Sequence, residues 1–225
     1  MSDQPEPRLV IFDCDGVLVD SEPISLSVMR EVLAEQGCHL TEAQGYEQLL
    51  GRAITTIART LQDEQDITLN DAHLEEMRKR LYARFRAELS PIEHVAGAID
   101  AIDCPVCVAS SSQPDRIRTS LQITGLYQKF SPNIFSSSMV SRGKPAPDLF
   151  LYAAEEMGVD PKDCVVIEDS PAGIKAAQSA GMRVIAFVGG GHAAPARLRE
   201  QAEVLVPNGV VETMSDLVAT LQTIR

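Results

Sequence analysis

Apolar residues recur along this chain in two rhythms, and the two occupy different parts of it. Four short runs, 9–12, 106–109, 164–167 and 184–187, are apolar throughout and mostly β-branched or otherwise compact. Runs of that length and kind predict strands buried on both faces. A brief strand is predicted at 134–135 and a last one at 202–206. From residue 90 onward the segments between these runs take helical spacing, at 92–101, 114–123, 146–157, 171–180 and 210–223, with Gly125, Gly158 and Gly181 as stops. That alternation predicts a parallel α/β sheet wrapped by helices on both faces.

Residues 21–89 break the alternation. Ile24, Val28, Val32 and Leu33 give helical spacing over 22–36, and Thr41 to Gln44 carries a weak capping pattern. Gly51-Arg52 separates that second helix from a third at 53–61. A fourth opens at Asn70 or Asp71 and sets Leu74, Met77, Leu81 and Phe85 on one face. No strand is predicted in this stretch. It reads as an all-helical insertion between the first strand and its crossover partner, with 1–20 and 90–225 as the α/β core and 21–89 as the inserted domain.

Three of the buried runs end on polar clusters. The first runs directly into Asp13-Cys14-Asp15-Gly16, the second into Ser110-Ser111-Ser112, the third into Glu168-Asp169. In a parallel sheet these C-terminal ends share one edge, where open α/β folds bind ligands. Lys144, in the Arg142-Gly143-Lys144-Pro145 loop, is available to the same edge. Carboxylates that close raise one another's pKa unless a cation intervenes. A hard divalent cation such as Mg²⁺, which takes oxygen ligands, resolves the conflict. Acids, Mg²⁺, a hydroxyl followed by a helix N-terminus and a lysine are the parts needed to hold and transfer a phosphoryl group.

Composition narrows the partners. With 225 residues and 44% hydrophobic content the chain can bury one substantial core and a smaller unit. A formal net charge of −12 disfavours binding to nucleic acid or anionic membrane. It also means that a site for an anionic metabolite must supply its own positive charge locally. No apolar run approaches the length of a membrane span, and residues 1–7 have neither the basic nor the apolar part of a signal peptide. The cysteines are odd in number, and Cys104-Pro105-Val106-Cys107 has no second pair or histidine pair to complete a zinc site. A reducing cytoplasmic setting fits these features.

The four clusters together resemble the haloacid dehalogenase (HAD) superfamily of hydrolases, in the subgroup of sugar-phosphate phosphatases and β-phosphoglucomutase. The matching motifs are Asp13-Cys14-Asp15-Gly16-Val17, Ala109-Ser110-Ser111-Ser112, Gly143-Lys144-Pro145-Ala146-Pro147-Asp148 and Glu168-Asp169-Ser170. The resemblance covers essentially the whole chain and implies a Rossmann-like core with a helical cap. It implies that Asp13 is the nucleophile and accepts the phosphoryl group as an aspartyl-phosphate. Asp15 would be the general acid, then the general base. Ser110 and the Ser111 amide would bind phosphate oxygens, and Lys144 would neutralise charge on the nucleophile and the phosphoryl group. Mg²⁺ would be held by Asp13, the Asp15 backbone carbonyl and Asp169, with Glu168 a direct or water-mediated ligand.

An aspartate at position 15 sets aside relatives that cleave carbon–halogen or carbon–phosphorus bonds, which lack one there. Related caps place a substrate-facing arginine where Gly51-Arg52 falls, making Arg52 the first candidate for specificity. The basic run Arg78-Lys79-Arg80 with Arg84 and Arg86 reads mainly as the solvated face of a helix. The expectation is a Mg²⁺-dependent phosphatase of a small phosphorylated metabolite, a sugar phosphate or sugar-acid phosphate, acting as a monomer or weak homodimer. A phosphomutase shares the core residues but uses cap histidine and lysine; Pro23 and the absence of histidine before His39 lean away from it. A non-catalytic metabolite-binding protein on the same fold is the third reading, and retaining mutually repelling acids argues against it.

Overall fold

The computed structural model describes residues 6–52 and 54–224, so most of the N-terminal stretch 1–7 and the expected helix start at Ala53 lie outside the described residues. They divide into two compact units, with boundaries at Asp20/Ser21 and Leu89/Ser90. The first strand, β1 (Leu9–Phe12), is wholly buried, as four consecutive apolar residues with no polar face require.

The inserted unit is all-helical: α1 (Glu22–Glu35), α2 (Glu42–Gln48), α3 (Ile54–Gln65) and α4 (Asp71–Glu88). Pro23 sits in the first turn of α1, where its missing N–H costs nothing. A capping box closes α2, with Thr41 Oγ1 accepting from the Gln44 amide, and Asn70 does the same for α4. Helices α1 and α4 pack together around Val32, Leu33 and Phe85, all almost fully buried. The basic run on α4 is tied down within this unit. Arg80 bonds both oxygens of Glu35 and one of Glu76, and Arg84 bonds Glu31 and Glu88.

In the core unit the chain continues through α5 (Val95–Asp100), β2 (Val106–Ser110), α6 (Pro114–Ile123), α7 (Tyr127–Phe130), β3 (Ile134–Ser136), α8 (Asp148–Glu156), β4 (Cys164–Glu168), α9 (Pro171–Ser179), β5 (Arg183–Phe187), α10 (Leu198–Val204), β6 (Gly209–Val211) and α11 (Leu217–Thr223). The six strands form one parallel sheet in the order β3-β2-β1-β4-β5-β6. After β3 the chain returns past β2 and β1 to lay down β4, so the strand order reverses between β1 and β4. Open sheets of this kind bind ligands at such a reversal, beyond the strand C-termini. Strands β4 and β5 are buried along their full length, which accounts for their unbroken apolar runs.

The C-terminal end departs from expectation. The run 202–206 is not a strand. Leu198 and Ala202, one helical turn apart, are buried, while Val204 is 81% and Val206 79% exposed. The segment is therefore the end of a helix, and its valines face water. The sixth strand lies at 209–211, where a helix had been expected to begin, and pairs Ile185 with Gly209. Glycine lets α11 pack closely there, since a Cβ would lie 2.9 Å from the Thr220 methyl.

Candidate active site

Pairing of Phe12 with Ile167 sets the next residues of β1 and β4 side by side at the strand reversal. The Asp13 amide donates to the Ile167 carbonyl at 3.0 Å, which holds the Asp13 side chain at the sheet edge. Lys144 meets it there. Its Nζ donates to Asp13 Oδ1 at 2.7 Å, to Glu168 Oε1 at 2.7 Å and to the Ala109 carbonyl at 3.0 Å, and lies 4.7 Å from the Phe150 ring centre. Three acceptors and an aromatic face satisfy an ammonium with only 4% of its side chain exposed. Burial works against this charge, but Asp13 and Glu168 outweigh it and hold the lysine pKa above its ordinary value.

The carboxylates are in excess over that one lysine. Burial pushes the Asp13 pKa well up, Lys144 opposes the shift, and Glu168 and Asp169 add to it. Asp169 is also raised, first by burial and then by Glu168, against a hydrogen bond from His192 that lowers it. Glu168 has both oxygens engaged. Oε1 accepts from Lys144, and Oε2 accepts from the Ser170 amide and hydroxyl at 2.8 and 2.9 Å. Ser170 caps α9 by accepting from the Gly173 amide. A Cβ on Gly173 would stand 1.8 Å from Glu168 Oε1, so this helix approaches the carboxylate as closely as only glycine permits.

Asp15 occupies a separate environment. Its Oδ2 accepts from Ser112 Oγ at 2.6 Å and its Oδ1 from Arg116 Nη2 at 2.9 Å. Gly16 turns the chain beside it with φ +82°, and a Cβ there would lie 2.0 Å from Asp169 Oδ2. Ser110 ends β2 with its side chain buried, and its Oγ accepts from the Ser112 amide at 3.1 Å, a local turn rather than a helix cap. Helix α6 instead has Gln113 at its N-cap. Ser111 is exposed, and its carbonyl accepts from Ser137 Oγ. The structure thus gathers Asp13, Lys144 and Glu168 in one hydrogen-bonded group, with Asp169 against Gly16. Arg52 is exposed in the turn between α2 and α3 of the inserted unit.

Two further side chains in the core bear on these acids and went unread in the sequence, Arg116 and His192, while Ser112 was read only as a member of the serine cluster and not as a partner of Asp15. His192 Nε2 lies 2.8 Å from Asp169 Oδ2, with the ring almost wholly buried. Its signal was present as Gly189-Gly190-Gly191-His192, directly after an apolar strand. Arg116 had a weaker one, four residues past Ser112 in the first turn of a helix.

The donor set suits Mg²⁺. Asp13 and Asp169 are buried carboxylates carrying more negative charge than Lys144 offsets, and Mg²⁺ takes one or two carboxylates, completing its shell with carbonyl, water and phosphate oxygens. Among the described residues no group of three or more His, Cys, Asp or Glu side chains is arranged to hold a metal ion.

A doubly wound parallel sheet with buried acids at its strand reversal defines a class of α/β enzyme, and comparison with known proteins identifies the family. Residues 7–181 match the model of the haloacid dehalogenase-like hydrolases. The chain is 32% identical over 187 residues to the 6-phosphogluconate phosphatase of Escherichia coli K12, covering 83% of this chain and 85% of that one. A haloacid dehalogenase-like protein from Agrobacterium tumefaciens superposes with a TM-score of 0.86 at 35% identity, over 96% of this chain and 98% of that one. A HAD family hydrolase from Deinococcus radiodurans, solved with bound phosphate and sodium, gives 0.79 at 32% identity over 99% and 97%. The chain belongs to the haloacid dehalogenase-like hydrolases. Its enzyme class is that of the phosphoric monoester hydrolases.

Proposed function

We propose that this enzyme is a Mg²⁺-dependent phosphatase of a small phosphorylated metabolite, a sugar phosphate or sugar-acid phosphate, working through an aspartyl-phosphate on Asp13. The observation that carries this reading is the division of labour between two carboxylates two residues apart. Asp13 is bound to Lys144, whereas Asp15 is bound to Ser112 and Arg116. Paired carboxylates in different environments are the arrangement in which one serves as nucleophile and the other as acid and base.

In the first step an Asp13 oxygen attacks phosphorus, the bond to the leaving oxygen breaks, and Asp15 gives that oxygen its proton. In the second, Asp15 takes a proton from water, whose oxygen attacks phosphorus and frees Asp13 and phosphate. Ser110 and the Ser111 amide bind phosphoryl oxygens, and Lys144 offsets the charge that gathers on them. When bound, Mg²⁺ would neutralise the phosphoryl oxygens, held by Asp13, the Asp15 carbonyl and Asp169. Glu168 anchors Lys144, and with both oxygens engaged it would reach the metal through water.

The inserted unit is assigned as the cap, with Arg52 reading the leaving group and closure excluding water. A cytoplasmic setting and a monomer or weak homodimer complete the reading. The similarity to 6-phosphogluconate phosphatase, an enzyme named for a phosphorylated sugar acid, supports the substrate class.

The test is phosphate release from a panel of sugar phosphates, sugar-acid phosphates, phosphoglycolate and nucleotides, with and without Mg²⁺. Release that needs both the metal and Asp13 is expected, with a sugar or sugar-acid phosphate ranked first. Isomerised sugar phosphate without phosphate release would make the protein a mutase, and neither product would overturn catalysis.

A further inference from the structure

The β5–α10 connection is built around one imidazole. Gly189 is pressed against β6, where a Cβ would lie 1.8 Å from the Glu212 carbonyl oxygen, and the Val188 amide donates to the Val211 carbonyl. Downstream, the Ala193 amide donates to Gly190, the Ala196 amide to His192 and the Leu198 amide to Ala193. The Gly191 amide donates to Asp20 Oδ1 at 3.0 Å. Between these fixed points the His192 ring is held by two glycines. A Cβ on Gly16 would lie 2.8 Å from its Cε1, and one on Gly190 would lie 2.9 Å from Cε1 and Nδ1. The slot fits a flat ring, and the ring's Nε2 meets Asp169 Oδ2 at 2.8 Å. A carboxylate accepts, so Nε2–H donates.

The geometry points to His192 as the positioning residue of the metal site: it fixes the Asp169 carboxylate through Oδ2 so that Oδ1 is presented to Mg²⁺. The assignment rests on the metal reading given above and adds a residue to it from a strand end that bears none of the four motifs. Partners of this kind orient a ligating carboxylate in advance and commonly govern metal affinity about 10- to 100-fold. Without His192, Asp169 would rotate in the space beside Gly16, and each metal-binding event would have to order it again.

Two variants separate this role from simple filling of the slot. His192→Gln keeps a donor near the position of Nε2; His192→Leu keeps bulk and removes the donor. The metal-free proteins are titrated with MgCl₂ by calorimetry, and their melting temperatures are recorded. His192→Leu is expected to bind Mg²⁺ about 10- to 100-fold more weakly, and His192→Gln within about threefold of the unaltered protein, with kcat at saturating Mg²⁺ falling far less than affinity in both. Equal Mg²⁺ affinity in all three proteins, or equal losses in Gln and Leu variants that melt alike, would overturn the assignment. Absence of Mg²⁺ binding by the unaltered protein would overturn the metal reading as well. The calorimetric result stands independently of which substrate the panel identifies.

Discussion

Two of the networks in which cations and carboxylates meet in this protein, one in each unit, are built on opposite principles. On α4 of the inserted unit, Arg80 and Arg84 face four glutamates, and the side chains are one third to one half exposed. Arg80 holds the Glu35 pKa down, and Arg84 does so for Glu88, as ordinary surface pairing does. At the sheet edge of the core, Lys144 is shared by Asp13 and Glu168 with hardly any solvent, and the Asp13 and Asp169 pKa values are pushed up. One network is hydrated, so that solvent screens the carboxylates its arginines do not match; the other is desolvated, with surplus negative charge left in a dry site. The first kind contributes little to stability, and the second is a standing strain that a divalent cation can relieve.

The sharpest break of that contrast is Asp13→Asn. It should reduce phosphate release by about 10⁴-fold or more while the protein stays folded, measured by a steady-state assay beside circular dichroism. Next comes Lys144→Met, which removes the shared cation and leaves two buried carboxylates unpaired. It should cost roughly 3–5 kcal/mol of stability as well as activity, read by denaturant unfolding; a loss confined to activity would show that the acids do not depend on the lysine for burial.

A smaller effect separates the networks by pH. Asp13 and Asp169 hold protons more tightly folded than unfolded, so the metal-free protein loses stability as pH rises from the ordinary aspartate range through their raised folded values. Thermal melts of the metal-free protein should show this decline more steeply than those of Asp13→Asn, and saturating Mg²⁺ should reverse the order of the two. Smallest of all, Arg80→Gln on the hydrated network should move the melting temperature by no more than about 2 °C. A large change there would place that surface pair on the same footing as the buried one.

What could be read from the chain follows the same division. Strands β1, β4 and β5 were legible because burial on both faces leaves no polar position to confuse the pattern. The acids at their ends were legible because a carboxylate directly after such a run is costly and conspicuous. The C-terminal elements were misread because Ala-Glu-Val-Leu-Val at 202–206 alternates like a strand although its valines point to water, and the real edge strand begins on a glycine. Arg116 and His192 escaped notice, and Ser112 was read only as one of a serine cluster, for another reason. Each acquires its meaning only from a partner 23 to 101 residues away. Nothing local to a histidine after three glycines says that an aspartate will stand beside it.

Gly173 carries a consequence for anyone wishing to harden this enzyme against heat. A glycine inside a helix is the first target of a stabilising programme, since alanine there ordinarily gains about 0.5–1 kcal/mol. Here the added methyl carbon would fall on Glu168, the carboxylate that anchors Lys144. The position is a built-in ceiling on thermostability: helix α9 must stay locally weaker than it could be, because the room a stronger helix would fill is already taken by the carboxylate bound to Lys144.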